Sequence, residues 1–315
     1  MLVRQTGRTL VVHAPAKLNL FLEVLNKRPD GYHELETLMV TVGVYDTLRF
    51  MEGDSTAGPL PATADAAAAV PSVIRLITRW AGPPGFAPEY LPTSEENLVV
   101  RAARLLQQVA GIRRPVMIEL TKRIPLAAGL AGGSSDCAAT LWGLNRFWSL
   151  GLPDQQLLEL AARLGSDIPF FLTGRAAAVC RGRGELIEPV TTPMRLHFVI
   201  AKPASGLSTA AVFRECHPSS APRTTQPLLS ALRRGRFRLA ASHLHNALQP
   251  AAERLNSDIA RLRDLFSRLP FLGHQMSGSG TAYLGMCSQL DQALALAGRV
   301  RSMGWNHVFV ASTQP

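Results

Sequence analysis

Residues 125–136 read Pro125-Leu126-Ala127-Ala128-Gly129-Leu130-Ala131-Gly132-Gly133-Ser134-Ser135-Asp136, a run of small residues between two regular patterns. Upstream, Val116, Ile118 and Leu120 alternate as a strand does. Downstream, Cys137, Leu141, Leu144 and Trp148 fall on one helical face. Glycines let backbone amides approach an anion closely, and a helix N-terminus adds unpaired N–H groups and the positive end of the dipole. The stretch is therefore a candidate phosphate cradle. Ser134 and Ser135 are available to cap the helix, to hydrogen-bond a phosphate or to ligate Mg²⁺. A capped helix after a flexible turn is the plainer reading of Gly-Gly-Ser-Ser alone. The chain has no GxxxxGK[ST] and no DFG segment, so this is neither a Walker loop nor a protein-kinase site.

Outward from that loop, residues 9–25 alternate cleanly. Leu18, Leu20, Leu22 and Val24 lie on one side, and Lys17, Asn19, Phe21 and Glu23 on the other. This predicts a half-buried strand. Pro29-Asp30-Gly31 is a turn, and 35–50 reads as one or two further strands. Residues 53–92 turn to alanine, proline and glycine, an excursion in which 72–80 could be a short strand or helix. Ser94 is placed to cap a helix over 97–108 that Gly111 ends, and Asp154 to cap another that Gly165 closes. A strand is expected at 176–181. A second block begins near 190, with a strand at 196–200 and helices at 226–234, 237–248 and 255–268. Strands at 281–287 and 306–311 then flank a helix at 289–302, the texture of a split βαβ sheet.

Two other segments carry chemistry. His274-Gln275-Met276-Ser277-Gly278-Ser279-Gly280-Thr281 is a glycine-rich turn that can bring amides up to a charged group, or a plain loop. Lys17 is one of four lysines in a chain with 29 arginines, and it stands on the polar side of an apolar strand. A compact ammonium set against a reacting oxygen accounts for that choice, as does a snorkelling surface lysine. Tyr32-His33 follows the Asp-Gly turn, where the ring could simply pack down.

The composition suits two domains: 315 residues, 47% hydrophobic and 18% charged. A net charge of +10 attracts anionic partners. The densest basic run, Arg233-Arg234-Gly235-Arg236-Phe237-Arg238, lacks the aromatic pattern of an RNA-binding sheet and reads as a solvated helix junction. Cys137, Cys180, Cys216 and Cys287 stand far apart and suit neither a disulfide framework nor a zinc site. There is no spanning apolar run and no signal-peptide core, so a soluble, reduced, cytoplasmic protein is expected.

Taken together, these segments resemble the GHMP-type small-molecule kinases. PAKLNLFLEVLNKRPDGYHELETLM at 15–39 is the most specific part. PLAAGLAGGSSDCAATL at 125–141 is similar to the family's phosphate-binding loop, MSGSGT at 276–281 to its third motif, and LGSDIPFF at 164–171 to the segment with its catalytic aspartate. The resemblance runs from about residue 9 to 311, with 53–92 outside it. Ala127 and Ala131 stand where the family usually has glycine, and His245-Asn246-Ala247-Leu248-Gln249 where Asn-Asp-Leu-Glu is common.

The resemblance implies an α+β fold in two domains, 1–188 and 189–315. The first half would be ribosomal-S5-domain-2-like and the second ferredoxin-like, with the active site in the cleft. It implies ATP and Mg²⁺ as cofactors, Lys17 and Asp167 as catalytic residues, and residues 125–135 (Pro125 to Ser135) as the nucleotide loop. Asn19, Tyr32, His33, Thr209 and Phe213 would then meet a small-molecule substrate that carries a cytidine diphosphate group. No magnesium ligand is assigned, and no nucleic-acid or membrane partner is expected. A homoserine or mevalonate kinase would share the loop and MSGSGT but should lack RPDGYHE. An RNA-binding protein on the same fold should show more aromatic residues than 6% of the chain.

Overall fold

Two long strands carry the molecule, β2 (Thr9–Lys27) and β3 (His33–Glu52), paired antiparallel along their lengths after the Pro29–Gly31 turn. The computed structural model describes residues 1–53, 74–82, 87–88, 90–191 and 195–314. β1 (Leu2–Thr6) adds to the start of β2. On the other side, the C-terminal half of β3 pairs with β5 (Val116–Lys122), and β5 with β4 (Ile74–Trp80) in parallel. The N-terminal half of β3 instead pairs with β6 (Ala177–Gly182), which carries β7 (Leu186–Pro189). Within the 53–92 excursion, then, 74–80 is an edge strand of the main sheet, whereas 54–73, 83–86 and 89 lie outside the described residues.

Helices α1 (Leu98–Ala110), α2 (Gly132–Phe147), α3 (Asp154–Leu164) and α4 (Ile168–Leu172) cover one face of this sheet. Leu106, Cys137, Leu141, Leu144 and Phe170 pack there against Val12, Leu48, Phe50 and Ile118. Two caps differ from the sequence pattern. Asn97, not Ser94, accepts the Val99 amide, because it is the residue directly before the helix. Asp154 is the first residue inside α3, where its charge complements the dipole, and Pro153 holds the cap position. Gly111 ends α1 at φ 63°, a left-handed cap that favours glycine.

The chain then builds a second sheet from β8 (His197–Ala201), β10 (Gly273–Met276), β11 (Tyr283–Cys287) and β12 (Val308–Ser312). Its order is β10-β11-β8-β12 and every pairing is antiparallel, the ferredoxin-like arrangement. Between β8 and β10 run α5 (Thr209–Glu215), α6 (Gln226–Arg233), α7 (Phe237–Ser242), the short β9 (His245–Asn246), α8 (Gln249–Leu255) and α9 (Ser257–Ser267). The helix α10 (Leu290–Ser302) joins β11 to β12. The helix expected over 237–248 stops at Ser242, because His245 and Asn246 leave it to pair with Phe21 and Leu22 of β2.

That junction decides the fate of β2. One face of the second sheet, through Phe198, Ile200, Leu284 and Met286, shares a core with Ala16, Leu18, Leu20 and Val40 of the first. Residues 14–24 of β2 are therefore buried on both faces rather than half-buried, and Lys17, Asn19 and Glu23 are covered by the second half of the chain. Bulges between Pro15 and Ala16 and between Asn19 and Phe21 bracket Lys17 and re-aim its side chain. Among the described residues, no helix is long and apolar enough to cross a membrane. All four cysteines are buried and free.

Candidate active site

Lys17 reaches the floor of a cavity of about 900 Å³ lined by both halves of the chain. Its side chain is only 4% exposed, and its Nζ donates to Asn19 Oδ1 at 2.5 Å. The Asn19 side-chain Nδ2 donates in turn to Thr37 Oγ1 at 2.8 Å, and Thr37 Oγ1 donates to the Phe21 carbonyl at 2.6 Å. This relay fixes the lysine's direction. The Asp167 carboxylate stands 3.8 Å from the ammonium and is 31% exposed. Asp167 occupies the residue before α4 without capping it, while Ile168, Phe170 and Phe171 turn into the core. Burial holds the Lys17 pKa below its ordinary value, opposed by the charge of Asp167 and then of Cys180.

The small-residue loop forms one wall. Pro125, Leu126, Ala127, Ala128, Gly129, Ala131, Gly132, Gly133 and Ser134 line the cavity. Leu130 and Ser135 do not: Leu130 is fully buried in the shared core, and the Ser135 hydroxyl is fully buried. Helix α2 begins at Gly132 behind Ala131, and no side chain caps it. Neither serine caps the helix, so its first-turn amides are left for a ligand at the cavity wall.

The glycine-rich turn at 277–280 packs directly on this loop and on the pair. Ser277 Oγ donates to the Gly129 carbonyl at 3.2 Å, and the Asn19 amide donates to Ser277 Oγ at 3.3 Å. A Cβ at Gly129 would stand 2.2 Å from the Ser277 carbonyl, and one at Gly278 3.2 Å from Lys17 Nζ. Both glycines have positive φ. Asn246 holds the turn from behind by donating to the carbonyls of Met276 and Gly278, each at 2.8 Å. Asn246 is the asparagine of the segment that lacks two common acidic groups, at Ala247 and Gln249, and no local pattern marks its role because its contacts are made 30 and 32 residues away.

The far end of the cavity is aromatic. His33 stacks on Phe213 with ring centroids 5.2 Å apart and planes at 28°. Tyr32 is 53% exposed, and the Arg183 guanidinium lies 4.8 Å over its ring. Thr209 Oγ1 and Ser279 Oγ are 2.7 Å apart, so this end is tied to the glycine-rich turn. Burial and then the nearby Lys27 charge lower the His33 pKa. Arg183 was not singled out from the sequence, because no periodicity marks it. Asn19, Tyr32, His33, Thr209, Phe213, Lys17 and Asp167 all line the one cavity.

The two adjacent glycines of α2 are separable by stability. A Cβ at Gly132 would meet the buried Ile124 side chain at 2.9 Å, whereas at Gly133 nothing stands closer than 3.9 Å. Gly132→Ala is expected to lower stability by ~1–3 kcal/mol through overpacking. Gly133→Ala should hold or raise it, since alanine is the better helix former. Thermal unfolding of the two variants checks this. Equal melting points would remove the packing explanation for Gly132.

The GHMP kinases N terminal domain family matches residues 97–175, and the GHMP kinases C terminal family matches residues 228–304. A 4-diphosphocytidyl-2-C-methyl-D-erythritol kinase of Pelotomaculum thermopropionicum is 38% identical over 290 residues, covering 91% of this chain and 92% of its own. One of Alkaliphilus metalliredigens is 37% identical over 281 residues, 88% of each chain. A crystal structure of 4-(cytidine 5'-diphospho)-2C-methyl-D-erythritol kinase aligns with a TM-score of 0.74 at 32% identity, covering 97% of this chain and 99% of that one. Homoserine kinase from Cytophaga hutchinsonii aligns with a TM-score of 0.69 at 17% identity, over 100% of this chain and 97% of its own, which speaks to fold alone.

Proposed function

The chain belongs to the 4-diphosphocytidyl-2-C-methyl-D-erythritol kinases of the GHMP family, and from that membership we propose how its residues divide the work. It is a small-molecule kinase of the non-mevalonate isoprenoid pathway, from a family that uses ATP. In our reading it transfers the γ-phosphoryl group of ATP to the 2-hydroxyl of the cytidyl-diphospho-methylerythritol. Residues 1–188 supply the loop and the Lys17–Asp167 pair, and 189–315 supply the opposing wall. The observation that carries this reading is one cavity with an uncapped helix N-terminus at one end, a lysine–carboxylate pair at its floor and an aromatic cluster at the other end.

Phosphoryl transfer asks a protein mainly for positioning and charge neutralisation. The amides of 132–134 hold the transferring phosphates. Asp167 takes the proton of the attacking hydroxyl, and its partial exposure to the cavity leaves it within reach of substrate. Lys17, pinned by Asn19, steadies the charge that builds between hydroxyl and phosphate. Tyr32, His33 and Phe213 take the pyrimidine. Asn19 stands beside Lys17 at the floor, and Thr209 beside Ser279 at the aromatic end.

Mg²⁺ fits the site as a companion of the phosphates. Such an ion would need only one or two protein oxygens, since Mg²⁺ commonly keeps waters and substrate phosphates as its other ligands. Among the described residues no group of three His, Cys, Asp or Glu side chains could hold a metal alone. Ser134, on the cavity wall, would supply an oxygen. When bound, the ion neutralises charge on the phosphates.

The buried ammonium also gives the reaction a pH limit. With its pKa lowered, Lys17 sheds its proton at a lower pH than an ordinary lysine, so kcat/KM, which reports groups of the free enzyme, is expected to fall on the alkaline side below about 10.4. Lys17→Met should show lower activity without that limb, and an unchanged limb would assign it elsewhere. The function itself is tested by supplying Mg²⁺-ATP with a panel of alcohols and following ADP. Turnover is expected with the cytidyl-diphospho alcohol and not with homoserine or mevalonate. The reverse preference would overturn the reading.

A further inference from the structure

Beneath the loop lies a charged cluster that this division of work leaves unused. Asp46 of β3, Lys122 at the end of β5 and Asp136 of α2 are all but fully buried. Lys122 Nζ donates to Asp46 Oδ2 and, at 2.6 Å, to Asp136 Oδ2. The other Asp46 oxygen accepts the backbone amides of Arg123 at 2.5 Å and Ile124 at 2.9 Å. The chain entering the loop therefore hangs on Asp46, and the helix leaving it hangs on Lys122. One lysine closes the two ends. A Cβ on Gly132 would stand 3.2 Å from that ammonium, which places the charge against the first turn of α2.

As a stabilising device the cluster is poorly built. It surrounds one buried cation with two carboxyl groups, and Asp136 Oδ1 has no partner among the described residues. Meanwhile the loop itself is strained. Ala127 at φ 49° and Ala131 at φ 53° sit in the left-handed region, where a β-carbon is disfavoured. Such backbone persists only where its surroundings over-determine it.

We propose that the Asp46–Lys122–Asp136 clamp is the positioning device of the phosphate loop. It holds Ala131 left-handed, so that the first-turn amides of α2 face the cavity before a nucleotide arrives. The inference rests on reading 125–135 as the nucleotide loop. None of the three side chains lines the cavity, so they act through the loop and not on the ligand.

Asp136→Ala cuts the tie on the helix side and leaves Lys122 and Asp46 as a neutral buried pair, so the fold should survive. A loop that is competent only part of the time weakens apparent affinity by that fraction. The expected result is a rise of about 10-fold in KM for ATP, with kcat at saturation and KM for the alcohol within about two-fold. Ala131→Gly added to this variant should recover most of the loss, because glycine enters the left-handed region without a β-carbon penalty. Asp136→Asn keeps an acceptor for Lys122, so its rise should be smaller and rescued by the same glycine.

Amide exchange of residues 126–134 in the wild type, with and without a non-hydrolysable ATP analogue, tests the underlying reading separately. Absence of protection there would refute the loop assignment itself. With protection present, an unchanged KM for ATP in Asp136→Ala would overturn the clamp. So would equal rises in both KM values that Ala131→Gly fails to rescue.

Discussion

Asp167→Asn is expected to lower kcat by ~10²–10⁴, the usual worth of a positioned general base, while ATP and the alcohol still bind. The substitution keeps the side chain's shape at a site that is 31% exposed, so the melting temperature should barely move. Lys17→Met should also cut kcat, because the proposed division of work sets the ammonium, 3.8 Å from Asp167, against the reacting oxygens. The two losses should not add. Groups that act as one unit lose most of their effect when either is removed. Turnover of Asp167→Asn near that of the wild type would take this carboxylate out of the mechanism, as would fully additive losses in the double variant for the pairing.

The strand–loop–helix around 125–136 was legible because its signal is local. Strand, glycines and helix follow one another between Val116 and Phe147, and the structure sets them in that order. Lys17 was legible for another reason, its rarity among arginines on the polar side of an apolar strand. The alternation misled about what that side meets. Glu23 shares it with Lys17, yet it is buried, accepting the Arg223 amide at 2.8 Å and facing His245 Nε2 at 3.2 Å. Two hundred residues intervene, and no periodicity announces a covering that comes from so far along the chain. The clamp was hidden for the same reason, as Asp46 and Lys122 stand 76 positions apart. Short elements escaped too. β1 (LVRQT), β7 (LIEP), β10 (GHQM) and α5 are short and carry no sustained apolar alternation, unlike the equally short β5 and β8. Helix α5 carries Thr209 and Phe213, which were reached through resemblance alone.

His33→Ala should separate substrate from nucleotide. Stacking on an aromatic face is worth ~1–3 kcal/mol per base, so KM for the cytidyl substrate should rise by about 10-fold or more while KM for ATP stays within about two-fold. Burial and then Lys27 lower the His33 pKa, and an imidazole ring can pair with the edge of a base as well as stack. Discrimination against a uridyl analogue should narrow with it, since a site built around a hydrogen bond rejects a mismatched partner strongly. If His33 merely packs against Phe213, its loss lowers stability and shifts both KM values alike. Equal shifts with cytosine preference intact would leave the aromatic end as a wall and not a reader.

The most direct test concerns the product. Wild-type protein, Mg²⁺-ATP and the cytidyl-diphospho alcohol are run to completion, and the new phosphate is located by phosphorus-31 NMR. A single monoester on the 2-hydroxyl, formed mole for mole with ADP, is the expected result. Phosphate on another hydroxyl, or ADP released without a phosphorylated alcohol, would contradict the placement of the hydroxyl against Lys17 and Asp167.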